Sequence, residues 1–255
     1  MRARASLRPA QVASESMARC LLADGRCGRL GRPCRSGQCI ARTVWRLRDR
    51  RWRDKLELLV AEGEDLVEAA AALEPVDLLV AGKDVEPALL GEVSSLAHPP
   101  RVVAVYRRAD LPRGVRPVTL ALWQVADPGN VGTLVRSADA FGAGVALSAG
   151  CADPTGPKAM RASMGAVFRV PLASFDEPAG RRVALVAHGG TPLPELELDG
   201  DVVFVLGAER EGLPPEVLER CDVRASIPLT GGAESLNVAM AGTVALYELS
   251  RKTPA

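Results

Sequence analysis

Over residues 118–250, short apolar runs of strand length alternate with stretches of helical character. This alternation restricts the fold of the chain more than any other feature. The runs fall at 118–125, 144–148, 183–187, 202–206 and 223–227, and helical patterns at 130–141, 157–165, 214–221 and 234–249. A strand that is apolar almost throughout is covered on both faces, and helices between such strands supply the cover. The expectation is therefore an α/β fold with a largely parallel sheet.

A smaller α/β unit precedes it. Strands are expected at 56–62, 76–81 and 102–106, an Ala-rich helix at 63–73, and a helix at 85–96 whose first turn accommodates Pro87. The polar stretch RADLPRGVRP, with Pro112, Gly114 and Pro117, reads as a linker. The chain thus divides into 1–45, 46–108, a linker at 109–117, and 118–255. Residues 1–45 mix Arg, Gly, Ser and Cys without a sustained apolar period and read as a disordered basic extension, in which Met17 is a candidate later start. The net charge of +1 conceals a split: residues 1–55 hold fifteen basic and four acidic side chains, the remainder seventeen and twenty-seven. A basic arm ahead of an acidic body is a candidate contact for nucleic acid, or a solvated tail.

Several classes of protein are disfavoured. No run approaches the ~18 apolar residues of a membrane span, and the N-terminal arginines have no apolar segment behind them, so a cytoplasmic location is expected. Cys20, Cys27, Cys34 and Cys39 have neither C-x-x-C spacing nor a nearby histidine, so no metal site is expected. Only His98 and His188 are available for histidine chemistry. Neither a strand-to-helix G-x-G-x-x-G nor a G-x-x-x-x-G-K-[ST] is present. With nine aromatic residues in the chain, a module that reads RNA mainly by stacking is not expected.

Three stretches carry more than scaffolding. In the first, from Asp127 to Gly142, Pro and Gly stop a strand and Asn130 stands where the next helix begins. Asn130 is either a plain N-cap or a site residue. Arg136, six residues on in a small, apolar helix, has no capping role and is expected to share an edge of the site with Asn130. The second, LGAEREGLP from Leu206 to Pro214, places two glycines after a strand, where backbone can approach a ligand. The third runs from Ile227 to Gly242 through a Gly-Gly loop into a helix expected to carry Ser235 and Asn237 in its first turn, as caps or as substrate contacts.

Together and in this order, N-x-G-x-x-x-R followed by A-F-G, G-x-E-x-x-G-L, and I-P-L-x-G-x-x-E-S-L-N-V resemble the signature motifs of the SpoU family of RNA 2′-O-ribose methyltransferases, in the SPOUT class. The segment around Pro157, Lys158, Arg161, Ser163 and Gly165 is similar to the family's stretch between motifs. The resemblance covers 118–250 strongly. Residues 50–107 resemble, less specifically, the substrate-binding domain of the ribosomal RNA members.

The resemblance implies a C-terminal methyltransferase domain with a trefoil knot, preceded by a small α/β RNA substrate-binding domain. It implies S-adenosylmethionine as cofactor, held by Leu206, Gly207, Ile227, Leu229 and Leu236. Asn130, Arg136, Glu209, Ser235 and Asn237 would form the catalytic pocket, with Arg136 either deprotonating the ribose hydroxyl or gripping a phosphate beside it. It implies a homodimer formed through the C-terminal domain. The expected activity is 2′-O-methylation of RNA, of the 23S type of ribosomal RNA before transfer RNA. The competing class is a non-catalytic RNA-binding or ribosome-assembly protein with the same fold.

Overall fold

A computed structural model describes residues 37–252. The readings made for residues 1–36, including Cys20, Cys27 and Cys34, lie outside the described residues. Within them the elements are α1 (Gly37–Arg46), α2 (Arg50–Leu56), β1 (Leu58–Glu62), α3 (Glu64–Ala69), β2 (Asp77–Val80), α4 (Pro87–Val93) and β3 (Val102–Arg107). There follow β4 (Val118–Leu122), α5 (Pro128–Ala140), β5 (Gly144–Leu147), α6 (Pro157–Ser163), β6 (Leu172–Ser174), β7 (Arg181–Leu185) and β8 (Thr191–Pro192). The chain continues through β9 (Val202–Leu206), α7 (Pro215–Leu218), β10 (Val223–Ser226) and α8 (Val238–Lys252).

The first three strands form an antiparallel sheet in the order β1-β3-β2. Both faces are buried. Leu59, Ala61, Ala104 and Tyr106 point to one side, and Val60, Val103 and Val105 to the other, where α1 and α4 cover them. The remaining seven strands form a parallel sheet in the order β6-β5-β4-β9-β7-β10-β8. Helices α5 and α8 cover one face of it, and α6 packs on α5. Trp123, Phe175 and Val217 contribute to a smaller cluster with alternate side chains of β4 and β9. The parallel order and the apolar strands follow the sequence reading. The three-residue β6 and two-residue β8 escaped it because neither is long enough to show a period.

The two sheets share one core. Leu59, Ala61 and Tyr106 belong to the same buried cluster as Leu120, Phe168 and Leu206, and the rings of Tyr106 and Phe168 lie 5.6 Å apart. The stretch read as a linker is itself tied down: Leu172 N–H donates to the Pro112 carbonyl at 3.1 Å and Gly114 N–H to that of Leu172 at 3.2 Å. A buried ion pair, Arg53 to Asp153 at 2.8 Å, fastens α2 to the loop after β5.

Among the boundaries that differ from expectation, two bear on the surface and the site. The expected disorder of 1–45 fails at its end, because α1 is helical and buries Ala41 and Val44. Two small apolar residues among arginines are too weak a signal to read as a period. The last helix begins at Val238 rather than at 234, so Ser235 lies in the preceding loop and Asn237 just before the helix.

Candidate functional site

In a parallel sheet a ligand crevice opens at the C-terminal strand ends, where the direction of strand addition reverses. Here the reversal lies between β4 and β9: β5 and β6 extend one side, β7, β10 and β8 the other. The loops after β4, β9 and β10 are the three singled out in the sequence, and they converge at this edge.

A cavity of about 430 Å³ lies beside them. Its wall includes Leu206, Gly207, Ile227, Leu229 and Leu236, all five of the residues expected to hold a cofactor, together with Glu209, Ser235 and Asn237. Leu185 at the end of β7, Val186 and Ala187 after it, and Arg210 also line it, and sequence reasoning did not single them out. The available signal was that residues 183–187 end a parallel strand. Gly207 is required at its position. A Cβ there would fall on the backbone of Gly212, so the loop closes only without a side chain.

A chain of hydrogen bonds joins the three loops. The Glu209 carboxylate accepts from Asn130 Nδ2 at 3.0 Å, from Asp127 N at 3.2 Å and from Ala126 N at 3.4 Å. Asn130 Oδ1 in turn accepts from Asn237 Nδ2 at 3.0 Å, and Asn237 Oδ1 caps α8 by accepting from Ala239 N at 2.9 Å. The amide orientations are fixed by chemistry: a carboxylate only accepts, so Asn130 must donate to it and accept from Asn237. Partial burial opposes ionisation of Glu209, but the bonds from Asn130 and from the backbone outweigh it and hold the carboxyl below its ordinary range.

The capping alternative for Asn130 fails. Asp127 caps α5, its Oδ1 accepting from Asn130 N at 3.0 Å, with Pro128 in the first turn. The Asn130 side chain is thereby left for the network. Lys158 pairs with Asp127 at 2.7 Å, and this contact, with the Asn130 N–H, holds the Asp127 carboxyl below its usual range. The signal for the cap was the D-P-G run ahead of the helix.

Arg136 departs from expectation. Six residues at 100° each turn it 120° away from Asn130, so the two cannot face one edge. Arg136 is exposed on α5 and does not line the cavity. It lies beside Ser137, whose hydroxyl meets that of Thr243 on α8 at 2.6 Å. Ser235 stands on the cavity wall with its side chain exposed.

The model of the SpoU rRNA methylase family matches residues 117–247. An uncharacterized tRNA/rRNA methyltransferase of Mycolicibacterium smegmatis is 38% identical over 167 residues, 61% of this chain and 52% of that protein. The chain thus spans about half the length of that relative. The 23S rRNA (guanosine(2553)-2′-O)-methyltransferase RlmP of Bacillus subtilis is 29% identical over 230 residues, 80% of this chain and 93% of that one. Among solved structures, the SpoU methyltransferase AviRb of Streptomyces viridochromogenes, in complex with AdoMet, superposes with a TM-score of 0.74. It is 26% identical, over 84% of this chain and 97% of that chain.

Proposed function

Since the chain belongs to the SpoU rRNA methylase family, we propose that it transfers the methyl group of S-adenosylmethionine to the 2′-hydroxyl of a ribose in RNA, with 23S-type ribosomal RNA as substrate. The observation that carries this reading is a single cavity walled by the second and third motif loops, to which Asn130 of the first is tied by hydrogen bonds to Glu209 and Asn237. The name of the Bacillus relative supports the 2′-O chemistry and the ribosomal substrate.

The residues present fit the cofactor. The cavity wall combines apolar side chains with the glycine backbone at Gly207 and Gly212, a lining suited to an adenosine and a short amino-acid chain. Leu206, Gly207, Ile227, Leu229 and Leu236 would hold it. The bound cofactor supplies a methyl group already activated by a positive sulfur. Glu209 and Asn130 position rather than react, because their hydrogen-bonding atoms are committed to the network. The Ser235 hydroxyl and the Arg136 guanidinium are left to meet the ribose and its neighbouring phosphate. An exposed guanidinium is a donor fork and a poor base, so we assign Arg136 the grip on phosphate.

Arg136 lies outside the cavity, and a homodimer supplies the missing geometry in this reading. Met240 (63% exposed), Val244 and Tyr247 (54% exposed) form an apolar stripe along α8, next to α5. Leu246, which also belongs to the apolar pattern of this helix, is buried in the core instead. Pairing along this stripe would bring Arg136 of one copy toward the cavity of the other. A trefoil knot is part of this reading and rests on membership of the family. Among the described residues no helix is long and apolar enough to cross a membrane; a cytoplasmic location is part of the proposal.

The test is transfer of labelled methyl from S-adenosylmethionine to ribosomal RNA and to a DNA copy of the same sequence. Label in RNA alone is expected; equal label in both would exclude the ribose 2′-hydroxyl as acceptor.

A further inference from the structure

Helices α1 and α2 meet in a corner that joins basic charge to indole surface, and the methyl-transfer site uses none of it. Residues 40–56 carry seven basic side chains against Asp49 and Asp54. Asp49 caps α2 and lies 3.6 Å from Arg51; Asp54 lies 3.6 Å from Arg50 and 2.5 Å from Arg108. Arg53 is buried against Asp153. The charges of Arg42, Arg46, Arg48 and Lys55 are in excess.

Arg42, Trp45 and Arg46 are spaced three and four residues apart and share a face of α1. Trp45 is 53% exposed. The Trp52 ring lies 4.4 Å from Arg46, 5.5 Å from Arg51 and 5.2 Å from Lys55. Arg42 Nη1 is buried without a hydrogen-bond partner among the described residues. Burial, then the neighbouring Arg42, pulls the Arg46 guanidinium below its ordinary value. Like charges held this close favour a bound anion. The nine aromatic residues of the chain argued against a general stacking surface, yet two of its three tryptophans stand at this corner.

We propose that this corner docks an unpaired segment of the substrate RNA, with Trp45 stacked on a base and the surrounding guanidinium and ammonium groups on the flanking phosphates. The proposal rests on the reading that the chain acts on RNA. An unpaired strand fits better than a duplex because a duplex hides its base faces, while an indole among cations offers a stacking platform beside a phosphate track. The corner also adjoins the right edge of the sheet. Arg50 Nη1 donates to the Cys151 carbonyl at 3.3 Å, in the loop after β5, and β5 lies two strands, roughly 10 Å, from β9.

The test uses the full chain with a labelled single-stranded oligouridylate and an RNA duplex of equal length. Single strands are expected to quench tryptophan emission, and Trp45→Ala to remove that quenching and weaken binding about tenfold or more. Arg48→Ala with Lys55→Ala, two of the charges in excess, should lower the slope of log affinity against log salt by about 1.4. Unchanged S-adenosylmethionine binding by calorimetry checks that each variant is folded. Trp45→Ala binding single strands as the parent does, or a parent that binds duplex equally well, overturns the proposal. A chain that binds single strands through Trp45 but transfers no methyl would instead refute the functional reading. Intact methyl transfer with an unaltered Trp45→Ala affinity would refute only the docking site.

Discussion

Replacing Arg53 by methionine, which keeps the length of the stem and removes the charge, should cost about 3–5 kcal/mol of stability. Arg53 is 4% exposed and joins three segments: its Nε donates to Asp153 Oδ2 at 2.8 Å, and its Nη1 to the carbonyls of Leu47 at 2.7 Å and Arg48 at 3.0 Å. Asp153 also accepts from Thr155 Oγ1 at 2.6 Å and Thr155 N at 2.9 Å. Burial opposes ionisation of Asp153, but the Thr155 hydroxyl and Arg53 outweigh it, so its carboxyl lies below the usual range. In the parent this stabilisation is full above the unfolded value of ~3.9 and is lost as pH falls through the lower folded value.

In Arg53→Met the burial persists without its cation, leaving only the more distant Arg108 at 3.7 Å. The folded carboxyl then rises from its value in the parent, while the Thr155 bonds still favour ionisation. The resulting penalty is present at neutral pH and is relieved as pH falls through that higher value. Urea unfolding of parent and variant between pH 7 and 3 should therefore show the gap narrowing on acidification. Arg53→Met combined with Asp153→Leu should recover most of the loss, since no lone charge stays buried. A gap below about 1 kcal/mol, or one that does not change with pH, would refute the assignment of this pair as the fastening between α2 and the large sheet.

Gly207→Ala should abolish S-adenosylmethionine binding in calorimetry while the protein stays folded by circular dichroism, because the new methyl falls on Gly212. Arg136→Ala should lower methyl transfer about 10²-fold with cofactor affinity unchanged, as expected for a group that orients RNA from outside the cavity; equal loss of cofactor binding would make Arg136 structural. Met240→Asp with Tyr247→Asp should give a monomer in sedimentation at micromolar concentration if the exposed stripe of α8 is the dimer face, and an unaltered sedimentation coefficient would place the interface elsewhere.

The sequence carried the strands of the parallel sheet and the identity of the site loops, because apolar runs and glycine-rich strand ends are local signals. It did not carry the hydrogen bonds between them. Asn130 next to Asp127-Pro-Gly looks equally like a cap or a site residue until Asp127 is seen to take the cap and Glu209, 79 positions away, to take the amide. Spacing alone suggests Arg136 at the same edge as Asn130; the helical angle places it elsewhere. The sequence pattern suggests a first helical turn for Ser235 and Asn237, whereas Asn237 ends the loop and caps the helix. The shared core was also illegible, since the contact of Tyr106 with Phe168 depends on how two sheets meet.

The central claim is tested most directly by analysing ribosomal RNA after incubation with this chain and S-adenosylmethionine, against a control without protein. The RNA is digested to nucleosides for mass spectrometry and, in parallel, hydrolysed with alkali. One new 2′-O-methylated nucleoside, with a phosphodiester that resists alkali at a single position, is the predicted outcome. Methyl groups found only on bases, or cofactor bound with no methyl transferred to any RNA, would contradict it.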